Sequence, residues 1–160
     1  MSRSIITELA ANFDRSHGFY LQFIDECPEA LWGKKFGGWP LWQQLVHVYG
    51  CIDFFVLQEG QQPTPYPCKA VNIGTFDFPE GEMTDKETMR AYAQTMKAKA
   101  DAYINGLNDA MLGELNAGFT SRKKEVRTHA MTMSILASHA YYHFGTLDAD
   151  LREHGFKGIY

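Results

Sequence analysis

Two histidines four residues apart, His139 and His143, are where this 160-residue chain carries its clearest chemistry. On a helix that spacing projects both imidazoles from one face, about 6 Å apart along the axis, close enough for one metal ion to take both. At about 100° per residue, Thr132, Thr146 and Asp150 fall on the same line, flanked by Ile135, Leu136, Tyr142 and Leu147. A polar stripe on an apolar helix must find partners, because an unpaired buried polar group costs several kcal/mol. A bound ion would satisfy it; so would hydrogen bonding of the pair in a core or an interface.

A third imidazole, His47, lies on an earlier helical stretch, and neighbouring helices of a bundle can aim side chains at a common interior point. Gln43, Cys51 and Phe54 share its face, so geometry alone does not choose it. Cys51, one turn after His47, would be a soft fourth ligand favouring zinc or simply a small buried hydrophobe. His17 sits on an apolar stripe and reads as a hydrogen-bonded interior histidine, with a fourth ligand or a substrate contact as the alternative. Asp150, about two turns beyond His143, is too far to share the same ion and reads as structural or supporting. His154 is expected to interact with the C-terminal end of its helix, and His129 to lie on the surface. Trp39, Trp42, Phe36 and Tyr142 could line a pocket, although aromatic residues at helical spacing usually belong to the core. Gly145 costs roughly 1 kcal/mol in a helix interior relative to alanine, which suggests that another backbone or a ligand comes close to it.

These residues must be positioned by helices, since four stretches carry helical periodicity and none alternates with period two for long. The first runs from Ser4 to about Glu26, with Ile6, Leu9, Phe13, His17, Tyr20 and Ile24 on one face, and Pro28 ends it. The second starts after Pro40, a residue suited to a first helical position, and runs to Glu59-Gly60. Thr84-Asp85-Lys86-Glu87 matches a capping box and opens the third, whose stripe is Met89, Ala93, Met96, Ala100, Tyr103 and Leu107. A short helix is expected in Asp109 to Ala117, and the last long one from about Thr128 to His154, closed by Gly155. Between the second and third lies a proline-rich connection from Gly60 to Met83, long enough to suggest a lid over a functional site, with a missed element as the alternative. Gly33 to Pro40 reads as a flexible connector. The expectation is one all-α domain over residues 1–160.

The pattern W-x-x-L-V-H, here Trp42 to His47, followed near the C-terminus by H-x-x-x-H-x-G, here His139, His143 and Gly145, resembles the DinB-like superfamily over nearly the whole chain. The resemblance implies an up-down four-helix bundle, commonly a homodimer, in which a histidine triad binds a divalent metal; carried onto this chain the ligands are His47, His139 and His143. Members often continue H-x-G-Q where this chain has Thr146, which leaves the triad intact and removes any role for that amide. Characterised members include transferases and isomerases that use low-molecular-weight thiols such as bacillithiol or mycothiol, so the resemblance implies a metal-dependent thiol transferase acting on a small molecule. A metal-dependent hydrolase and a non-catalytic metal-binding dimer are the alternatives. Three imidazoles leave a coordination position open, as in catalytic sites. Zinc or nickel come first as the ion, with manganese or iron behind them, because imidazole does not discriminate strongly among them.

Composition excludes other classes. With 45% hydrophobic and 14% aromatic residues the chain is neither disordered nor low in complexity. A net charge of −4, with its densest basic run Arg122-Lys123-Lys124 followed at once by Glu125, gives no stripe for neutralising phosphates, so nucleic acid is not expected as a partner. The apolar stretch Leu45 to Leu57 is broken by His47 and Asp53 and falls short of the roughly 18 residues a membrane span needs. The N-terminal residues lack a signal-peptide apolar core. Cys27, Cys51 and Cys68 are odd in number and unpaired in spacing, which fits a reducing interior; the expected compartment is the cytoplasm.

Overall fold

A computed structural model describes residues 2–69, 72–75 and 77–160. Its elements are α1 (Ser4–Glu26), α2 (Glu29–Trp32), β1 (Lys35–Phe36), β2 (Trp39–Pro40), α3 (Leu41–Val56), α4 (Lys86–Asn105), α5 (Ala117–Lys123) and α6 (His129–Glu153), with 3-10 turns at Ile73–Thr75 and Asp109–Gly113. The fold is all-α apart from the small β1–β2 hairpin. No helix among the described residues is long and apolar enough to cross a membrane.

Local chemistry accounts for the helix ends. α1 stops at Cys27, ahead of Pro28, whose fixed φ and missing amide cannot continue it. Pro40 precedes α3 as its N-cap, one position earlier than expected, and α3 ends at Val56 because Leu57 is already extended. The start of α4 is a correction to the capping box: Asp85 is the N-cap, its carboxylate accepting from the Thr88 amide at 2.8 Å. Thr84 is drawn into the core instead, buried, with its carbonyl accepting the Trp32 indole N–H at 2.7 Å. α6 is capped by Thr128, which accepts from the Met131 amide, and Gly155 closes it with φ +81°, a value that glycine adopts without a Cβ penalty.

Between Gly33 and Pro40 the sequence reading missed a hairpin. Lys35 pairs with Pro40 and Phe36 with Trp39, antiparallel, and the turn is Gly37-Gly38 with φ +60° and +100°. Positive φ at both central residues of a two-residue loop matches the right-handed strand twist, and Gly-Gly allows it. The short helix expected from Asp109 to Ala117 is also revised. Asp109–Gly113 is a 3-10 turn, and a separate α5 follows at Ala117–Lys123. Buried Asn116 makes that possible: its Oδ1 accepts from the Phe119 amide, and its Nδ2 donates to the Phe55 carbonyl and to Thr132 Oγ1.

The four long helices pack in a ring, α1 against α6 and α4, and α3 against α4 and α6. Met89, Ala93, Met96 and Ala100 of α4 are fully buried, as are Ile6, Leu41, Leu45 and Leu147. Helix directions follow from cross-contacts. Arg3 donates to the Asn105 carbonyl, Asp14 pairs with Lys97 and Asp25 with Arg90, so α1 and α4 are antiparallel. Asp53 meets Lys99, while Tyr49, one turn earlier, meets His17 at the level of Lys97; α3 and α4 therefore run parallel. A simple up-down order is thus corrected: the second and third long helices point the same way. Antiparallel neighbours need only a short loop, but parallel ones need the chain returned along the bundle, roughly 24 Å for a 16-residue helix. That return accounts for the long connection from Gly60 to Met83.

Candidate metal centre

The facing sides of α3 and α6 bring His47, His139 and His143 together. His47 sits mid-helix on α3 and is buried, whereas His139 and His143, one turn apart on α6, are half-buried. Ring centroids are 4.7 Å apart for His47–His143 and for His139–His143, and 5.2 Å for His47–His139. His47 Nε2 lies 3.2 Å from His139 Nε2. Cys51, one turn below His47, places its Sγ 3.9 Å from both ring nitrogens of His47. The donor atoms of His47, Cys51 and His139 all fall within 4.8 Å of one another, a group that could hold a metal ion.

Burial keeps the two histidines of α6 uncharged. Burial, followed by repulsion from His47, lowers His139 to about 4. Burial, then His139 and His47, lowers His143 to about 3. Both imidazoles are therefore neutral near pH 7, the form that donates a lone pair to a cation. The Cys51 thiol is pushed by burial up to about 12, so without a cation it stays protonated.

The remaining sequence candidates divide. His17 is half-buried and tied through Nδ1 to the Tyr49 hydroxyl at 2.9 Å, with burial, then Lys97, lowering it to about 4; it is a hydrogen-bonded interior histidine. It also borders a void of about 10 Å³ shared with Tyr49 and His139, about the space one water needs. His129 is a correction: it is buried, not on the surface, with Nδ1 2.6 Å from the Tyr103 hydroxyl. His154 does reach the end of its helix, with Nδ1 2.9 Å from the Asp150 carbonyl and 3.1 Å from its carboxylate. Asp150 is fully buried, and its carboxyl is raised above the usual range by that burial, against the pull of His154. Trp42 is core and stacks edge-on with Phe78, whereas Trp39 and Tyr142 are exposed. Gly145 is a second correction, because a Cβ there would meet nothing within 4 Å. Among the described residues no backbone approaches it. Thr146 instead lies under the hairpin turn, its methyl 3.8 Å from where a Gly37 Cβ would be.

On the far side of Cys51 a cavity of about 460 Å³ opens, lined by Phe54 and Asp53 of α3, by Pro63, Tyr66, Asn72 and Gly74 of the long connection, and by Arg122 and Lys123 of α5. As well as returning the chain, the long connection thus walls a cavity that borders Cys51, one turn from His47, but is lined by none of the three histidines; Ala70, Val71 and Phe76, within the segment expected as a lid, lie outside the described residues. Arg122 donates to the Leu57 and Phe54 carbonyls at the end of α3, and the Lys123 ammonium stands 4.4 Å from the centre of the Phe54 ring. Tyr66, Arg122 and Lys123 escaped the sequence reading as site residues, because no periodicity links a proline-rich connection or a seven-residue helix to the face of α3.

The family model of the DinB superfamily matches residues 12–147, which include all three histidines. The chain belongs to the DinB superfamily. No curated protein matches it. Metal binding is general in this superfamily, and the donor set fits such an ion: neutral nitrogens converge within contact distance, where two lone pairs 3.2 Å apart need a proton or a cation between them.

Proposed function

We propose that this DinB-superfamily chain holds a divalent transition metal through His47, His139 and His143 and acts as a transferase that uses a low-molecular-weight thiol on a small-molecule substrate. The observation that carries the reading is the convergence of three imidazoles, two of them held neutral by burial; Cys51, one turn from His47, borders a cavity large enough for a small substrate. Zinc or nickel suits this donor set first, manganese or iron less well. Such an ion, when bound, would supply a position at which a thiol is held as its thiolate, the reactive nucleophile.

The protein's own side chains do the rest. His139 and His143 come from one rigid helix and His47 from its neighbour, so little ordering is left to be done when the ion enters. Phe54 and Tyr66 offer apolar surface in the cavity, and Lys123 offers a cation for an acidic group of the thiol or the acceptor. A hydrolase would need a general base within hydrogen-bond reach of a water. The carboxylate lining the cavity, Asp53, is committed elsewhere: Oδ1 to Lys99 at 2.8 Å and Oδ2 to the Thr64 amide. That commitment favours thiol transfer over hydrolysis. A homodimer, as the resemblance implies, completes the reading.

The test is metal content per chain by plasma mass spectrometry for the wild type and for a His139→Ala, His143→Ala double variant. About one ion per wild-type chain, lost in a variant that keeps its helical circular dichroism, is the expected outcome, followed by thiol-dependent conjugation of electrophiles. Failure of the wild type to take up zinc, nickel, manganese or iron would sink the reading.

A further inference from the structure

We propose that Cys51 is a fourth, exchangeable ligand at the histidine cluster, closing the ion's coordination until a substrate thiol replaces it; this rests on the metal reading above. Cys51 follows His47 by four residues on α3, so both side chains leave the same helix face. Distances support a shared ion. Donors bound tetrahedrally at about 2.1 Å for nitrogen and 2.3 Å for sulfur stand about 3.4 Å apart for a nitrogen pair and about 3.6 Å for nitrogen and sulfur. The chain places His47 Nε2 and His139 Nε2 at 3.2 Å, and Cys51 Sγ and His47 Nε2 at 3.9 Å. For these two pairs, adjustments of a few tenths of an ångström reach bonding geometry, and the donors of His47, Cys51 and His139 all stand within 4.8 Å of one another.

Competing fourth donors are accounted for. His17 Nδ1 is engaged by the Tyr49 hydroxyl, both Asp53 oxygens are bound, and Asp150 lies about two turns beyond His143 on α6, too far along the helix to share the ion. Exchange is possible because Cys51 is half-buried and is also a wall of the cavity. On coordination the Cys51 sulfur gives its proton to solvent. When a small thiol arrives from the cavity, its sulfur takes the position and its proton passes to the departing Cys51 sulfur, so one S–H bond breaks and one forms, with no oxidant or reductant. Cys51 is then a positioning residue for ion and substrate, and its softness selects zinc over manganese.

Cobalt(II) titration of the metal-free wild type, Cys51→Ser and Cys51→Ala tests this by absorption spectroscopy. The wild type should show both the visible bands of tetrahedral cobalt and a near-ultraviolet thiolate-to-cobalt band. Both variants should keep visible bands, lose the near-ultraviolet band and bind cobalt about tenfold more weakly. Wild-type visible bands without the thiolate band, or variants whose spectra match the wild type, would overturn the role of Cys51 while leaving the histidine site standing. A wild type that takes up no cobalt would overturn both.

Discussion

Two groups of inward-facing histidines show how one residue type serves opposite ends in this bundle. His17 and His129 each meet a tyrosine hydroxyl, at 2.9 Å and 2.6 Å, and the Tyr103 hydroxyl opposite His129 also accepts from Asn116 at 3.4 Å. Each is a neutral ring satisfied by a neutral neighbour, which is how a core histidine normally repays its desolvation. His47, His139 and His143 instead face one another. Gathering three imidazoles in one spot disfavours protonation of His139 and His143 and brings ring nitrogens of His47 and His139 within 3.2 Å, an arrangement suited to a cation. Burial alone therefore does not mark a functional histidine; what the ring faces does.

The largest way to break this comparison is to supply the ion. At free zinc about a thousand times its dissociation constant, linkage should add about 4 kcal/mol to stability, a rise in melting temperature of about 10 °C for a chain of this size. His139→Ala should abolish that rise, whereas His129→Ala should leave it intact even while lowering the baseline. A rise that survives His139→Ala, checked by scanning calorimetry with and without zinc, would place the ion elsewhere.

Acid comes next. His17 and His139 have folded values of about 4 and His143 of about 3, all lowered primarily by burial from 6.5. Above about pH 6.5 these groups are neutral in both folded and unfolded states and contribute no pH dependence. As pH falls from there to about 4, the unfolded chain takes up protons that the folded chain refuses, so metal-free stability declines across that window. Zinc affinity should fall about tenfold per pH unit below pH 7, since coordination releases the Cys51 proton, and more steeply as pH approaches 4, where protons also compete for His139 and His143. Melting curves and zinc titrations at several pH values measure both; metal-free stability that stays flat between pH 6.5 and 4 would mean that these histidines are hydrated rather than buried.

What the sequence made legible follows from locality. His139 and His143 share one helix, and a four-residue spacing translates directly into adjacency. The bounds of α1 and α6 are set by residues that act within one turn, such as Pro28 and Thr128. His47 entered through the family pattern, since helix periodicity cannot say which neighbour a face will meet. The parallel course of α3 and α4 was invisible for the same reason: it depends on where the chain from Gly60 to Met83 travels, and no residue encodes that alone. His129 was misplaced because its burial comes from Tyr103, 26 positions away. The hairpin at Gly33 to Pro40 was legible in principle, as Gly-Gly between Phe36 and Trp39 is a strong turn signal.

A smaller effect sharpens the contrast from the tyrosine side. Tyr103→Phe leaves His129 without its hydroxyl partner and should cost about 1–2 kcal/mol, lowering the melting temperature by about 5 °C. Zinc stoichiometry and affinity should not change, because the Tyr103 and His129 pair lies at one end of α6 while the cluster lies about three to four turns along it. A loss of zinc affinity in this variant, read by titration calorimetry, would join the two histidine groups into one network and undo the distinction drawn between them.

The smallest expected effect concerns Gly145, two residues past His143. Within one chain it is an exposed helical glycine with open space where a Cβ would go, so Gly145→Ala should add about 1 kcal/mol through helix propensity, a rise of about 3 °C. Nothing in the bundle opposes the methyl group. If the melting temperature falls instead, the opposition must come from outside the chain, and sedimentation equilibrium of wild type and variant then decides its source. A wild-type dimer that the methyl weakens would put a second copy of α6 against the face carrying Gly145 and Tyr142, as the proposed homodimer requires. A monomer in both cases, with the expected gain in stability, would leave this glycine without a structural purpose and overturn the proposed homodimer.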